Sequence, residues 1–202
     1  MCKTMTTLRI LVMLAAANLM LVLGTAPLIA APAKQAGPPP DLPSAPLTST
    51  AVAPRAASGW SRFTSEENPP LTISNGQLIS AMRCTGRYCD NISLGYQNVP
   101  GVNHISHSWT PYFSEEGTNY RVCSGNSFMT GINCRGSYCD NISLRCTVVR
   151  GKIRGAACNW TPWFSEEAEY SPYLGGPDYY AAGLACRGSY CDDMSILACQ
   201  AR

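Results

Sequence analysis

The chain has 202 residues, of which 46% are hydrophobic and 14% charged, with 15 Lys and Arg set against 13 Asp and Glu. That balance, with no basic stripe anywhere, argues against nucleic acid and against an anionic membrane surface as partner. The length leaves ample chain for one core.

The N-terminus reads as an export signal. Lys3 and Arg9 supply positive charge to an almost wholly apolar run over residues 10–31, and Ala31-Pro32-Ala33 resembles a small-residue cleavage site. The run is nearly long enough to span a bilayer, but Asn18, Pro27 and the small residues near its end favour cleavage. Residues 1–33 are therefore expected to be a signal peptide, leaving a secreted, extracellular chain without a membrane span. Its loss takes Lys3 and Arg9 and leaves 13 basic and 13 acidic side chains, a formally neutral protein. Cys2 precedes the apolar run, so it is not placed to carry a lipid. Residues 34–57 are rich in Pro, Ala and Ser, a composition that cannot bury a core and favours an extended, disordered linker.

From residue 58 onward the chain repeats itself three times. Cys84-Thr-Gly-Arg-Tyr-Cys89-Asp90 returns as Cys134-Arg-Gly-Ser-Tyr-Cys139-Asp140 and as Cys186-Arg-Gly-Ser-Tyr-Cys191-Asp192. A second block precedes each copy: Trp60 to Glu66-Glu67, Trp109 to Glu115-Glu116, and Trp160 to Glu166-Glu167. The expected domain is thus a single unit of three repeats, about 58–106, 107–157 and 158–202.

Repeat two shows the pattern most clearly. Pro111 follows Trp109 and removes a backbone donor, which marks an edge or an irregular segment. Ser114-Glu115-Glu116-Gly117 is a polar turn. Strands are expected over Tyr120–Cys123, Phe128–Cys134 and Asn141–Val149, with a fourth over Ile153–Ala157. Gly131 inside the second marks a bulge or a close approach of backbones. His104 and His107 are expected in the loop between repeats one and two, where they make a poor metal site.

No stretch after the leader shows an apolar period of helical length, so the fold is expected to be all-β and disulfide-rich. Each repeat would form a small sheet of three or four strands that cannot bury its own apolar face. Three such sheets about a pseudo-threefold axis can, as a β-prism or, alternatively, a β-trefoil. Repeat one departs from the pattern: Ile73 and Tyr96 stand where repeat two has Cys123 and Cys146, and Arg62 stands in place of Pro111 and Pro162.

Setting Cys2 aside leaves ten cysteines, an even number in an exported chain. The repeat suggests the pairs Cys84–Cys89, Cys134–Cys139 and Cys186–Cys191. Cys123–Cys146 would join the start and end of repeat two, and Cys158–Cys199 would tie down the last repeat, although spacing does not fix the connectivity of these four. Zinc favours shorter Cys spacings and usually histidine, so disulfides are the preferred reading.

The order of a Trp-x-Pro-aromatic block (Trp109 to Tyr112, Trp160 to Trp163), a Gly-containing tip, an Asp-Asn or Asp-Asp pair and an apolar strand resembles the repeats of the vitelline membrane outer layer protein family. Cys158-Asn-Trp160-Thr-Pro-Trp163 also resembles the Trp-containing repeats of dermatopontin-type matrix proteins. The first resemblance implies a β-prism. Together they imply an extracellular protein that binds glycans or matrix, or builds a coat. The Cys-x-Gly-x-Tyr-Cys-Asp tip departs from both families, and no catalytic residue is carried over.

The tips are the candidate ligand surface: Tyr88, Asp90 and Asn91; Tyr138, Asp140 and Asn141; Tyr190, Asp192 and Asp193. An aromatic face suits a sugar ring, an acceptor suits its hydroxyls, and a closed loop lowers the entropy lost on binding. Three copies would add multivalency. The competing reading is that each Asp caps a turn and each Tyr packs on a disulfide. Tryptophans at equivalent repeat positions are expected to fill equivalent places in the core, with Trp163 the best exposed candidate because Phe63 and Tyr112 replace it elsewhere.

Each Glu pair could serve glycoside hydrolysis or calcium, but adjacent strand residues point to opposite sides, and no EF-hand loop is present. The alternative is a Glu that ties its turn to the backbone or to an Arg of the next repeat, such as Arg135 or Arg187. No cofactor is expected. Asn91-Ile-Ser93 and Asn141-Ile-Ser143 match a glycosylation acceptor. The expected function is non-enzymatic recognition of a glycan or cell-surface polymer. A coat or matrix protein without a discrete ligand is the alternative, and a glycan-active enzyme using Glu115 or Glu166 is the third.

Overall fold

The computed structural model describes residues 57–167, 174 and 176–202. The expected leader, Cys2 and all but the last residue of the 34–57 linker lie outside them. Among the described residues the regular structure is β-strand, interrupted by three single-turn 3-10 segments. The strands are β1 (Gly59–Trp60), β2 (Leu71–Thr72), β3 (Gln77–Thr85), β4 (Asn91–Asn98), β5 (Asn103–Trp109) and β6 (Tyr120–Val122). They continue as β7 (Ser127–Arg135), β8 (Asn141–Arg150), β9 (Arg154–Trp160), β10 (Tyr179–Arg187) and β11 (Asp193–Ala201). No described helix is long and apolar enough to cross a membrane.

Three antiparallel sheets result, in the orders β1-β4-β3, β2-β7-β8-β5 and β6-β10-β11-β9. Each is centred on one long hairpin, β3–β4, β7–β8 or β10–β11, which closes over a Cys-x-Gly-x-Tyr-Cys tip. The strand that ends in the Trp of each block, β1, β5 or β9, pairs with the second strand of its own repeat's hairpin. His104 and His107 thus lie on an edge strand and not in the expected loop.

The expectation that each repeat builds its own sheet holds for β1-β4-β3 and is corrected for the other two sheets. β2, from repeat one, pairs with β7 of repeat two, and β6, from repeat two, pairs with β10 of repeat three. Geometry explains the exchange. Thr64 and Phe113 bridge to Ile92 and Ile142 at the tip end of their own hairpins. The Ser-Glu-Glu turn then delivers the chain to the neighbouring hairpin. Gly131 and Gly183 receive the incoming strands: a Cβ at either would lie 2.5 Å from the Leu71 carbonyl oxygen or 2.8 Å from that of Arg121.

One bulge recurs in all three hairpins, between Ile79 and Ala81, Met129 and Gly131, and Ala181 and Gly183. It shifts the alternation of the strand by one residue, so residues three apart face the same core. Ile79, Met129 and Ala181 enter the central core with Met82, Ile132 and Leu184. Leu78, Phe128 and Tyr180 enter a second cluster at the end of the hairpins remote from the tips. Full burial of one Leu, Ile or Met contributes roughly 1.5–3 kcal/mol, so these rings of aliphatic side chains supply much of the stabilisation.

All five expected disulfides are present: Cys84–Cys89, Cys134–Cys139, Cys186–Cys191, Cys123–Cys146 and Cys158–Cys199. The two outside the tips act differently. Cys158 and Cys199 are register partners on β9 and β11, within one sheet. Cys123 follows β6 and donates its backbone N–H to the Ala182 oxygen, so Cys123–Cys146 joins two sheets across the repeat boundary. Ile73 and Tyr96, at the matching positions of repeat one, pack into the central core instead.

Candidate functional site

The three tips are built alike. Gly86, Gly136 and Gly188 adopt φ of 83°, 81° and 76°, in the left-handed region that favours glycine. Space demands glycine as well, because a Cβ at these positions would lie 1.9, 2.0 and 1.9 Å from Oδ1 of Asp90, Asp140 and Asp192. The Asp carboxylate therefore folds back over its own glycine. The next residues of note, Tyr88-Cys89, Tyr138-Cys139 and Tyr190-Cys191, all hold left-handed φ between 56° and 60°. Two such residues in sequence cost about 1–3 kcal/mol each and persist only where surrounding contacts enforce them.

Those contacts come from the neighbouring repeat. The Tyr138 N–H donates to Glu66 Oε1 at 3.3 Å, and the Tyr190 N–H to Glu115 Oε1 at 2.9 Å. The Cys139, Cys191 and Cys89 sulfurs lie 4.0, 3.4 and 3.8 Å from Oε2 of Glu66, Glu115 and Glu166. The same sulfurs lie 3.2, 3.4 and 3.2 Å from the carbonyl oxygens of Asp90, Asp140 and Asp192. Repeat one therefore clamps the tip of two, two that of three, and three that of one. The first Glu of each pair is half-buried in this role, while Glu67, Glu116 and Glu167 are exposed. The Glu side chain meets the tip itself.

Clamped in this way, the three tips converge. The Tyr88, Tyr138 and Tyr190 rings form one cluster, with centroids 5.3 Å apart for Tyr88–Tyr138, 5.1 Å for Tyr88–Tyr190 and 5.3 Å for Tyr138–Tyr190. Tyr190 is 38% exposed and the other two are half-buried. Arg87 stands at the rim, its Nη2 donating to Tyr88 Oη at 3.2 Å and its guanidinium 4.9 Å from that ring's centre. Ser137 and Ser189 hold the same place in the other tips. The hydrogen bond with Tyr88 is the main cause that pushes Arg87 above its ordinary range.

The Asp and Asn side chains of the tips are engaged with each other. Asn91 Nδ2 donates to Asp90 Oδ1 at 2.6 Å, and Asn141 Nδ2 to Asp140 Oδ1 at 2.7 Å. In repeat three Asp193 replaces the Asn and accepts from Arg187 Nε at 3.0 Å. Burial pushes the Asp192 carboxyl above the usual range, and the negative charges of Asp193 and Glu166 add to the effect. The serines that follow, in Asn-Ile-Ser twice and in Asp193-Met194-Ser195, also have partners. Ser93, Ser143 and Ser195 donate to the carbonyl oxygens of Ser61, Thr110 and Thr161 at 2.9, 2.7 and 2.7 Å. Both halves of the sequence that reads as a glycosylation acceptor thus belong to the hairpin scaffold.

Trp163 is not the exposed platform expected of it. It is 3% exposed, with the Arg187 guanidinium 4.4 Å from its ring centre. Nor do the other tryptophans fill the central core: Trp109 is 38% exposed, and Trp60 and Trp160 are half-buried on edge strands. Aliphatic residues fill the centre, joined by Phe113 and Phe164 from the fifth position of the block. Sequence reading missed the arginine that covers each block. Arg135 lies 3.6 Å over Tyr112, and Arg83 lies 4.4 Å over Trp60 and 4.9 Å over Phe63. Repeat one has Thr85 where the others have arginine, and Arg83, two residues earlier on the same strand face, takes over the stacking.

Glu115 lies close to the sulfurs of Cys186 and Cys191, but those sulfurs are bonded to each other and offer no thiolate to a metal. His104 hydrogen-bonds the Gln77 carbonyl through Nε2 at 2.9 Å, and burial lowers its basicity. His107 Nδ1 lies 3.0 Å from Arg145 Nη2. The two rings have separate partners and do not form a shared site. Comparison with known proteins finds no matching family model, no matching curated protein and no matching solved structure.

Proposed function

We propose that the chain is a secreted, non-enzymatic binding protein of β-prism type that meets a glycan or another extracellular polymer where its three tips converge. The observation that carries the reading is the tyrosine cluster, with ring centroids 5.1–5.3 Å apart on a backbone held in an unfavoured conformation. Backbone strain of this kind concentrates at functional sites. Rigid aromatic faces suit the C–H face of a sugar ring, while the phenol hydroxyls and Arg87 offer polar contacts at the edge. Asp90, Asp140 and Asp192 position the tips and do not face a ligand. The convergence makes one composite surface, so the site is single and avidity within one chain plays no part.

Five disulfides are compatible with an extracellular protein. The prism reading is supported by three antiparallel sheets that pass a strand from one to the next and by tip clamps that run in the same order. A non-enzymatic role fits groups that occur in near-identical triplicate. The deviating carboxylate, Asp192, folds over its own Gly188, as Asp90 and Asp140 fold over Gly86 and Gly136.

The test is retention on immobilised glycans and cell-wall or matrix polysaccharides. Tyr190→Ala should weaken retention about tenfold, the loss of roughly one aromatic contact, with little change in melting temperature. No retention by the intact chain at high loading would end the binding reading. A coat or matrix role is the second reading, favoured by the internal satisfaction of the tip carboxylates. On that reading Tyr190→Ala lowers the melting temperature and alters no binding.

A further inference from the structure

We infer that the tyrosine cluster is a site of oxidative cross-linking, at which two of Tyr88, Tyr138 and Tyr190 join within one chain as dityrosine. The inference rests on ring geometry and is independent of the glycan reading. Tyrosines far apart in sequence stand in mutual contact here, with interplanar angles of 71°, 41° and 68°. Their backbones are fixed by the tip disulfides and, for Tyr138 and Tyr190, by Glu66 and Glu115. The rings are therefore presented to one another at a high effective concentration. Tyr190, 38% exposed, is open to an oxidant in solution. Elsewhere Tyr120 packs on Trp160, and Tyr180 is buried against Phe128.

The chemistry needs a haem peroxidase and hydrogen peroxide as co-reactants. Each of two phenols gives one electron and one proton to the peroxide-oxidised haem, leaving two phenoxyl radicals. The unpaired electrons combine at the ring carbons ortho to the hydroxyls and form one C–C bond. The two ortho hydrogens then move to the phenolic oxygens as the rings regain aromaticity. In sum, two tyrosines and one peroxide give one dityrosine and two waters, and the chain loses two hydrogens. Small rotations of the two side chains suffice, and the third ring stays uncoupled.

The test treats the intact, disulfide-bonded chain with a haem peroxidase and hydrogen peroxide. Dityrosine fluorescence, intact mass and peptide mapping are then read after reduction. The expected product is a monomer lighter by two hydrogens, with a peptide joining two of the three tips. Tyr190→Phe should keep part of the yield through the Tyr88–Tyr138 pair. The triple variant Tyr88→Phe/Tyr138→Phe/Tyr190→Phe should lower it about tenfold or more, since it removes all three phenols that stand in mutual contact. Equal yield in the triple variant, bonds only between chains, or bonds mapped to other tyrosines would overturn the inference. Should the triple variant fail to fold, the peptide map of the wild-type product decides alone.

Discussion

Asp193 stands where Asn91 and Asn141 stand in the other tips, and this one exchange changes the charge of the third tip. An Asn side chain donates to the preceding Asp; a carboxylate cannot, and Asp193 turns to Arg187. That ion pair is partly exposed and adds at most about 1 kcal/mol. Asp192 is left partly buried, without an Asn donor, and beside the negative charges of Asp193 and Glu166. All of this favours its protonated form. A carboxyl raised in the folded state contributes stability at low pH and loses it as pH rises through the folded value. Asp192→Asn keeps the shape and removes the charge. It should therefore be more stable than the wild type near neutral pH, with the advantage fading as pH falls from the raised folded value toward that of a free carboxyl. Urea unfolding of both proteins across that range checks this. A variant less stable at neutral pH would show instead that the Asp192 charge is needed by the tip.

At the scale of the element, the tip is a turn that does not stand alone. Its disulfide closes the loop, but the left-handed Tyr-Cys pair is held from outside by a Glu of the preceding repeat. Glu115→Ala leaves the Tyr190 N–H without its acceptor and should cost about 1–3 kcal/mol in denaturant unfolding. Glu115→Gln keeps an acceptor oxygen and should cost less. Equal losses would mean that charge and not hydrogen bonding holds the turn. The sequence shows both partners, since the Glu pairs and the tips recur in step. It does not show that they meet, because the contact crosses from one repeat to the next and no local spacing encodes it. The same limit hides the tyrosine cluster: each Tyr is visible as a repeated residue, but convergence depends on how three hairpins lie together. Trp163 misleads for a related reason. Its uniqueness among the repeats suggests an exposed role, while the covering guanidinium of Arg187 lies far along the chain.

At the scale of the whole molecule, the all-β class, the strand positions of repeat two and the three tip cysteine pairs are legible, because alternation, turn residues and the in-step repeat are local signals. The sheet composition is not, because β2 and β6 look like members of their own repeats and join the next one. This exchange has a thermodynamic consequence. Among the described residues two of the three sheets take a strand from the preceding repeat, no repeat holds a complete clamp, and the central core draws side chains from all three. Loss of the β7–β8 or β10–β11 hairpin therefore exposes the aliphatic ring and frees a strand of the preceding repeat. Repeat proteins with independent units melt in steps, whereas this arrangement should unfold in one transition. Native-state hydrogen exchange offers the check. The slowest amides of β3, β7 and β10 should share one opening free energy, and Leu184→Ala, a cavity of about 2–5 kcal/mol in the third hairpin, should lower protection in all three alike. Protection lost only in β10 and β11 would mean that the repeats are coupled by sequence alone and that the exchanged strands contribute little to cohesion.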